Sequence, residues 1–340
     1  MKILVTGAAG FIGFFLSKSL IEKGHEVVGL DNLNDYYDVN LKYARLNELG
    51  IDKNSAEKFN FLIKSESYRN FTFIRLGIEN RDNLPELFKN QSFDVVCNLA
   101  AQAGVRYSLK NPEAYVDSNI VGFLNILECC RHNNIQHLIY ASSSSIYGLN
   151  DKTPFETTDQ TDHPVSLYAA TKKSNELMAH TYSHLYNFPT TGLRFFTVYG
   201  PWGRPDMAYF SFTENILADK PISIYNNGQL ARDFTYIDDI INGITLIIEK
   251  GFKPISEPRS KYSIYNIGRG KPIKLLDFID MIGSSLKKDV KSIMMPMQDG
   301  DVYTTWADTN QLKKNYGYSP QVDLQEGVNN FIKWYHSYKK

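Results

Sequence analysis

The segment Tyr168-Ala169-Ala170-Thr171-Lys172 sets a phenol and an ammonium four residues apart, which on a helix puts both on one face. An ordinary tyrosine has a pKa of about 10 and is seldom ionised at neutral pH, so a phenol serving as general base needs that value lowered. A neighbouring ammonium and the positive ring of an oxidised nicotinamide would both favour the phenolate. The same spacing also fits an ordinary solvated helix face. Two further features single the pair out: the run Ser142–Ser145 between an apolar stretch and Tyr147-Gly148, and a glycine turn near the N-terminus.

That turn is Gly7-Ala8-Ala9-Gly10-Phe11-Ile12-Gly13. Glycines at 7, 10 and 13 leave backbone N–H groups free to approach a pyrophosphate at a helix N-terminus, where the dipole favours negative charge. A glycine triplet can equally do no more than shape a tight bend. Here it follows the apolar residues 2–5, opens a helical pattern (Phe14-Phe15-Leu16, Leu20-Ile21) and precedes a second apolar run ending at Asp31. A carboxylate there accepts both adenosine ribose hydroxyls and repels a 2′-phosphate, which selects NAD over NADP.

The elements that must position these groups read as alternating strands and helices. Strands are expected at Phe71–Leu76, Phe93–Leu99, Leu138–Ala141 and Thr191–Phe196, with helices around Leu84–Lys89, Ser118–His132 and Tyr168–Tyr186. Such alternation predicts an α/β fold, a Rossmann-type doubly wound parallel sheet that binds ligands outside the carboxyl ends of its strands. The polar stretch Asn32–Asn70 reads as a helix with a surface insertion. From Tyr199 onward Gly200-Pro201-Trp202-Gly203-Arg204-Pro205 breaks regular structure and shorter elements follow. The expected division is a cofactor-binding unit at 1–196 and a smaller, partly discontinuous C-terminal substrate unit at 197–340. Segments such as Phe234–Glu249 and Ser263–Ile267, within about 232–268, could return to the first sheet.

The 340 residues carry 37 basic and 37 acidic side chains, with 43% hydrophobic residues. A zero balance gives no general attraction for nucleic acid or an anionic membrane, so any phosphate site must be local. The N-terminus has no signal-peptide core, and no apolar run reaches the roughly 18 residues of a membrane span. Cys97, Cys129 and Cys130 form no CxxC pair, which fits a reducing, cytoplasmic compartment, and Cys129 and Cys130 read as buried thiols; no histidine has ligand spacing, so no metal is expected. Asp238-Asp239 reads as a helix start, and the aromatic C-terminus as an amphipathic helix on the body.

Taken together, Thr6–Gly13, Asn98-Leu99-Ala100-Ala101, the serine strand end, Tyr168-x-x-x-Lys172 and Arg232-Asp233-Phe234-Thr235-Tyr236-Ile237-Asp238-Asp239 resemble the extended short-chain dehydrogenase/reductase family of nucleotide-sugar enzymes. Within it, Ser166–Lys173 and Leu193–Ala208 resemble UDP-glucuronate 4-epimerases. The resemblance implies that Tyr168 is the base, Lys172 its partner and Ser143 the hydroxyl on the sugar O4. It places NAD against Gly7, Gly10, Phe11, Ile12, Gly13, Asp31, Asn32, Ile78, Ala100, Tyr168 and Lys172. It further implies a redox-neutral reaction in which C4 is oxidised to a 4-keto sugar and reduced again on the other face, with the cofactor retained.

The same resemblance separates sister reactions. Related dehydratases carry Asp-Glu after the catalytic hydroxyl, and decarboxylases a Glu two places on; here the residues are Ser144 and Ser145, which cannot serve as the acid and base of elimination. A 4-keto glucuronate is a β-keto acid that loses CO2 when its carboxylate bond stands perpendicular to the carbonyl plane. Ser144, Ser145, Thr197 and Arg204 are the candidates for preventing this by holding the carboxylate. Arg232 resembles the family's diphosphate arginine, Tyr225 would lie against uracil, and Asp301 would meet the uridine ribose. Two departures stand out. Gln298 replaces an arginine of the Arg-x-Gly-Asp pattern, and Gly77-Ile78 stands where many relatives have Asp-Ile facing the adenine amino group, a loss of about 1 kcal/mol. Extended relatives dimerise through two helices per subunit, here 111–132 and 168–186. The competing readings are an epimerase of neutral UDP-sugars, a dehydrogenase that releases NADH, and a non-catalytic NAD-binding regulator.

Overall fold

The computed structural model describes residues 1–255, 259–298 and 300–339. Its N-terminal part alternates strands and helices, except where the strands Leu62–Lys64 and Phe71–Arg75 follow one another. Strand β1 (Lys2–Thr6) leads into helix α1 (Phe11–Glu22) and returns as β2 (Glu26–Asp31), parallel to β1 with Thr6 opposite Leu30. Ile3 and Val5 point to the α1 side and Leu4 to the other, so both faces of the strand are buried, as a parallel sheet under two helical layers requires.

The polar stretch after β2 folds as α2 (Val39–Glu48), α3 (Lys53–Ala56) and β3 (Leu62–Lys64) before β4 (Phe71–Arg75). Asp38 starts α2 by accepting from the Asn40 N–H at 3.0 Å. Strand β3 pairs antiparallel with β4 and closes one edge of the sheet; it is three residues long and ends in lysine, features that blunt an exposed edge. The segment is therefore an ordered extension of the sheet edge as well as a surface insertion.

Next come α4 (Asn83–Gln91), β5 (Val95–Asn98), α5 (Pro112–Tyr115), a π-helical stretch Val116–Val121 and α6 (Gly122–His132). Then β6 (His137–Ser143), α7 (Leu167–Tyr186) and β7 (Thr190–Phe195) complete the pattern. Ser166 caps α7, accepting from the Ala169 N–H at 3.1 Å, which fixes the turn that presents Tyr168.

The remaining chain forms β8 (Thr197–Tyr199), α8 (Ala208–Leu217), β9 (Ile222–Ile224), β10 (Ala231–Tyr236), α9 (Ile237–Lys250), β11 (Tyr262–Ile267), β12 (Pro272–Lys274), α10 (Leu275–Leu286), β13 (Ser292–Met294), α11 (Asn310–Tyr316) and α12 (Leu324–Tyr338). The large sheet runs β11-β7-β6-β5-β1-β2-β4-β3, parallel throughout except at β3. Strand β11 thus returns to the large sheet. The run Phe234–Glu249 does not: its start belongs to the small sheet β12-β10-β8, and the rest is α9, packed against α1. The reason is periodicity. Ile237, Ile240, Ile241, Ile244, Ile247 and Ile248 are buried at helical spacing, which overrides the strand preference of isoleucine. Helix α12 covers the far side with Phe331 buried and Trp334 stacked on Tyr338 at 5.1 Å.

Candidate active site

The carboxyl ends of β1, β2, β5, β6 and β7 open on one cavity of about 930 Å³, lined by every residue that the sequence marks as cofactor-binding, catalytic or substrate-binding. At one end the glycine turn leads into α1. A Cβ on Gly13 would stand 2.0 Å from the Gly7 carbonyl oxygen, and Gly7 itself has φ +72° with its Cβ position 3.0 Å from the Ala100 nitrogen. Side chains are excluded at both points, and the α1 N-terminus carries no side-chain cap, so its N–H groups remain for a ligand. Asp31 braces the turn, accepting from the Ala9 N–H at 3.1 Å and the Leu33 N–H at 2.8 Å. This cradle fits the pyrophosphate and ribose of a dinucleotide. Phe11, Ile12, Asn32, Ile78 and Ala100 complete its wall.

At the middle of the cavity Tyr168 projects from the first turn of α7, Lys172 from the next, and Ser143 ends β6. Lys172 is buried and donates from Nζ to the Ala141 carbonyl at 2.9 Å; burial pulls its pKa down to about 8. Burial pushes the Tyr168 phenol above its usual value, opposed by the Ser143 hydroxyl and the Arg204 guanidinium. Desolvation thus outweighs these two neighbours within the protein itself, while Lys172 turns its proton to a carbonyl. Ser143 Oγ is 3.2 Å from the Ser145 hydroxyl and accepts from the Ser145 N–H at 3.2 Å, so the serine run forms a tight turn.

Facing it are Thr197, at the start of β8, and Arg204. The Arg204 guanidinium donates to Asp206 at 2.9 and 2.6 Å, and the Tyr36 hydroxyl donates to the same carboxylate at 3.1 Å. At the far end Arg232 donates to the Ala231 and Tyr303 carbonyls at 2.9 and 3.1 Å, while Asp301 pairs with Arg106 at 3.1 Å. The Arg106 guanidinium also covers the Tyr225 ring, 5.2 Å from its centroid.

Several residues that sequence reasoning passed over hold this arrangement together. Arg45 of α2, fully buried, donates to the Ala9 carbonyl at 2.8 Å and to the Trp202 carbonyl at 2.6 Å, tying the glycine turn to the loop that carries Arg204. Lys42 lies 4.0 Å from Asp31. Glu176, one helical turn beyond Lys172, accepts from Ser142 at 2.6 Å and takes Arg194 in a two-pronged pair at 2.9 Å, fastening α7 to the ends of β6 and β7. Asn119, in the π-helical stretch, accepts from the Gln102 N–H at 2.8 Å and donates to Thr171 at 3.0 Å. Of these, only Glu176 carried a signal, its i+4 spacing from Lys172. Among the described residues no group of three or more histidine, cysteine or acidic side chains could hold a metal ion, and no helix is long and apolar enough to cross a membrane.

Residues 3–268 match the model of the NAD dependent epimerase/dehydratase family. The chain is 53% identical to Protein CapI of Staphylococcus aureus, with all of both chains covered. It is 46% identical to UDP-glucuronate 4-epimerase 4 of Arabidopsis thaliana over 99% of this chain and 76% of that one. Among solved structures, a UDP-glucuronic acid 4-epimerase from Bacillus cereus, in complex with UDP-glucuronic acid and NAD, superposes with a TM-score of 0.86 at 34% identity, covering 99% of this chain and all of that one.

Proposed function

Because the chain belongs to the NAD dependent epimerase/dehydratase family, we propose that it is a UDP-glucuronate 4-epimerase, interconverting UDP-glucuronate and UDP-galacturonate through a 4-keto sugar with a retained NAD. The observation that carries this is the Arg204 guanidinium, held on the wall of the same cavity as the Tyr168 phenol. Asp206 engages Nε and Nη2, so Nη1 remains to donate to the sugar, and a glucuronate carboxylate is a stronger acceptor for it than a hydroxyl.

Gly7, Gly10, Gly13, Asp31, Asn32, Ile78 and Ala100 hold the cofactor in this reading. The chemistry NAD supplies when bound is reversible hydride exchange at the sugar C4. Tyr168 takes the proton of the C4 hydroxyl, Ser143 orients that hydroxyl, and Lys172 lends positive charge to the phenolate. Arg232 and Asp301 take the diphosphate and ribose and Tyr225 the uracil, an anchor about which the ring turns. Thr197, Arg204, Ser144 and Ser145 keep the carboxylate out of the perpendicular alignment that would release CO2. The cofactor unit spans 1–196 with β11 added to it, and 197–340 mainly shapes the sugar pocket.

A homodimer fits the exposed apolar residues Val116, Leu177, Leu185 and Tyr186 on the helices near 111–132 and 168–186. A cytoplasmic setting fits three buried free thiols. UDP-galacturonate is an acidic donor suited to surface polysaccharide synthesis.

The test is proton NMR of the purified protein with UDP-glucuronate and no added cofactor, following the anomeric signals. UDP-galacturonate without UDP-pentose is expected. If UDP-glucose or UDP-N-acetylglucosamine is epimerised instead, the substrate assignment and the role of Arg204 both fall. Reduced nicotinamide accumulating with turnover would make the protein a dehydrogenase.

A further inference from the structure

Four carboxylates lie on the cavity wall: Asp31, Glu79, Asp206 and Asp301. Three are engaged, Asp31 by backbone N–H groups, Asp206 by Arg204 and Tyr36, and Asp301 by Arg106. The fourth, Glu79, is exposed to the cavity and takes no hydrogen bond or ion pair from any other described residue. Its oxygens, met by solvent, stand open to a donor from a ligand in the cavity.

Its position says which donor. Glu79 follows β4, which lies next to β2 on the side away from the glycine turn. If Asp31, at the end of β2, takes the adenosine ribose, the end of β4 borders the base. At that place Gly77 has no side chain, and the space is filled by Glu79. A Cβ built on Gly77 would lie 2.0 Å from Glu79 Oε1, 2.5 Å from its Cδ and 2.7 Å from Oε2. The glutamate folds back so that its carboxyl group stands where a short acidic side chain at 77 would begin. Of the Ile78 backbone, the carbonyl is already taken, accepting from Asn125 Nδ2 at 3.0 Å.

We infer that Glu79 reads the exocyclic amino group of the adenine, supplying from two residues downstream the acceptor that Gly77 lacks. The inference rests on NAD being the cofactor. A carboxylate accepting from the 6-amino group favours adenine over hypoxanthine, which presents a carbonyl there and would meet the glutamate oxygen to oxygen.

The experiment compares exchange of the bound cofactor in the holoenzyme for NAD and for its deamino analogue, nicotinamide hypoxanthine dinucleotide. The wild type should prefer NAD by at least about tenfold, the range of a hydrogen bond to a charged acceptor. Glu79→Ala should bring the two dinucleotides to near parity. The double variant Gly77→Asp with Glu79→Ala should restore the preference, since Gly77 has no positive φ and removing the Glu79 carboxyl clears the three nearest atoms. An unchanged preference in Glu79→Ala, or equal weakening of both dinucleotides, overturns the assignment while leaving NAD as the cofactor. A wild-type protein that carries and takes up neither dinucleotide overturns both.

Discussion

Arg204 and Asp206 are joined side chain to side chain by two hydrogen bonds, Nε to Oδ1 at 2.9 Å and Nη2 to Oδ2 at 2.6 Å. With Tyr36 donating to the same carboxylate, the guanidinium is fixed before any substrate arrives, and little side-chain entropy remains to be lost on binding a second anion. Arg204→Ala should lower kcat/KM for UDP-glucuronate by about 10- to 100-fold, equivalent to about 1.5–3 kcal/mol. Binding of UDP should not change, and UDP-pentose should begin to appear as the carboxylate is freed. Steady-state kinetics beside a UDP titration decide the matter; equal losses for substrate and UDP would remove Arg204 from the carboxylate.

Tyr168→Phe deletes the hydroxyl proposed as proton acceptor and leaves the ring. Turnover should fall by about 10²- to 10⁴-fold, the usual contribution of a general base, while NAD stays bound. Lys172, with its pKa pulled to about 8, keeps its charge below that pH and loses it above. If that charge is needed by the phenolate, wild-type kcat/KM should decline above about pH 8. A Tyr168→Phe protein that keeps wild-type turnover would reassign the base.

Asp31 and Lys42 sit 4.0 Å apart, both on the cavity wall. Asp31→Ala removes the repulsion against a 2′-phosphate and leaves a cation beside it. NAD should weaken by about tenfold and NADP should bind more tightly than it does to the wild type. Fluorescence titration with both dinucleotides measures this, and an unaltered NAD/NADP ratio would mean that another group reads the ribose.

The parts legible in the sequence are those set by local spacing: the strand–turn–helix around Gly7–Gly13, the Tyr168–Lys172 pair and the strand end at Ser143. The parts that were not legible act across the chain. Arg45 reaches Trp202 and Arg106 reaches Asp301 from segments more than 150 residues away, with |i−j| of 157 and 195, and no local pattern marks either. Arg194 reads as one more residue of a strand until Glu176 is seen opposite it. The upward push of burial on the Tyr168 phenol was hidden for a related reason, since spacing tells which charges are near but not how much water burial removes.

His137 offers a test of burial away from the cavity. It opens β6, buried, with Nε2 2.8 Å from the Thr191 hydroxyl and its ring edge-on to Phe252 at 5.7 Å. Burial pulls its pKa down to about 3, so the folded protein keeps the ring neutral where the unfolded chain, with an ordinary value near 6.5, takes up a proton. Between about pH 6.5 and 3 the unfolded state therefore binds more protons, and stability falls as the pH drops through that window. At about pH 5 the loss from this one group should reach about 2 kcal/mol. His137→Gln cannot take up that proton, and so should lose less stability between pH 7 and 5 than the wild type, whatever its stability at pH 7. Urea unfolding at the two pH values measures both slopes; parallel losses would mean that the acid sensitivity arises from other groups.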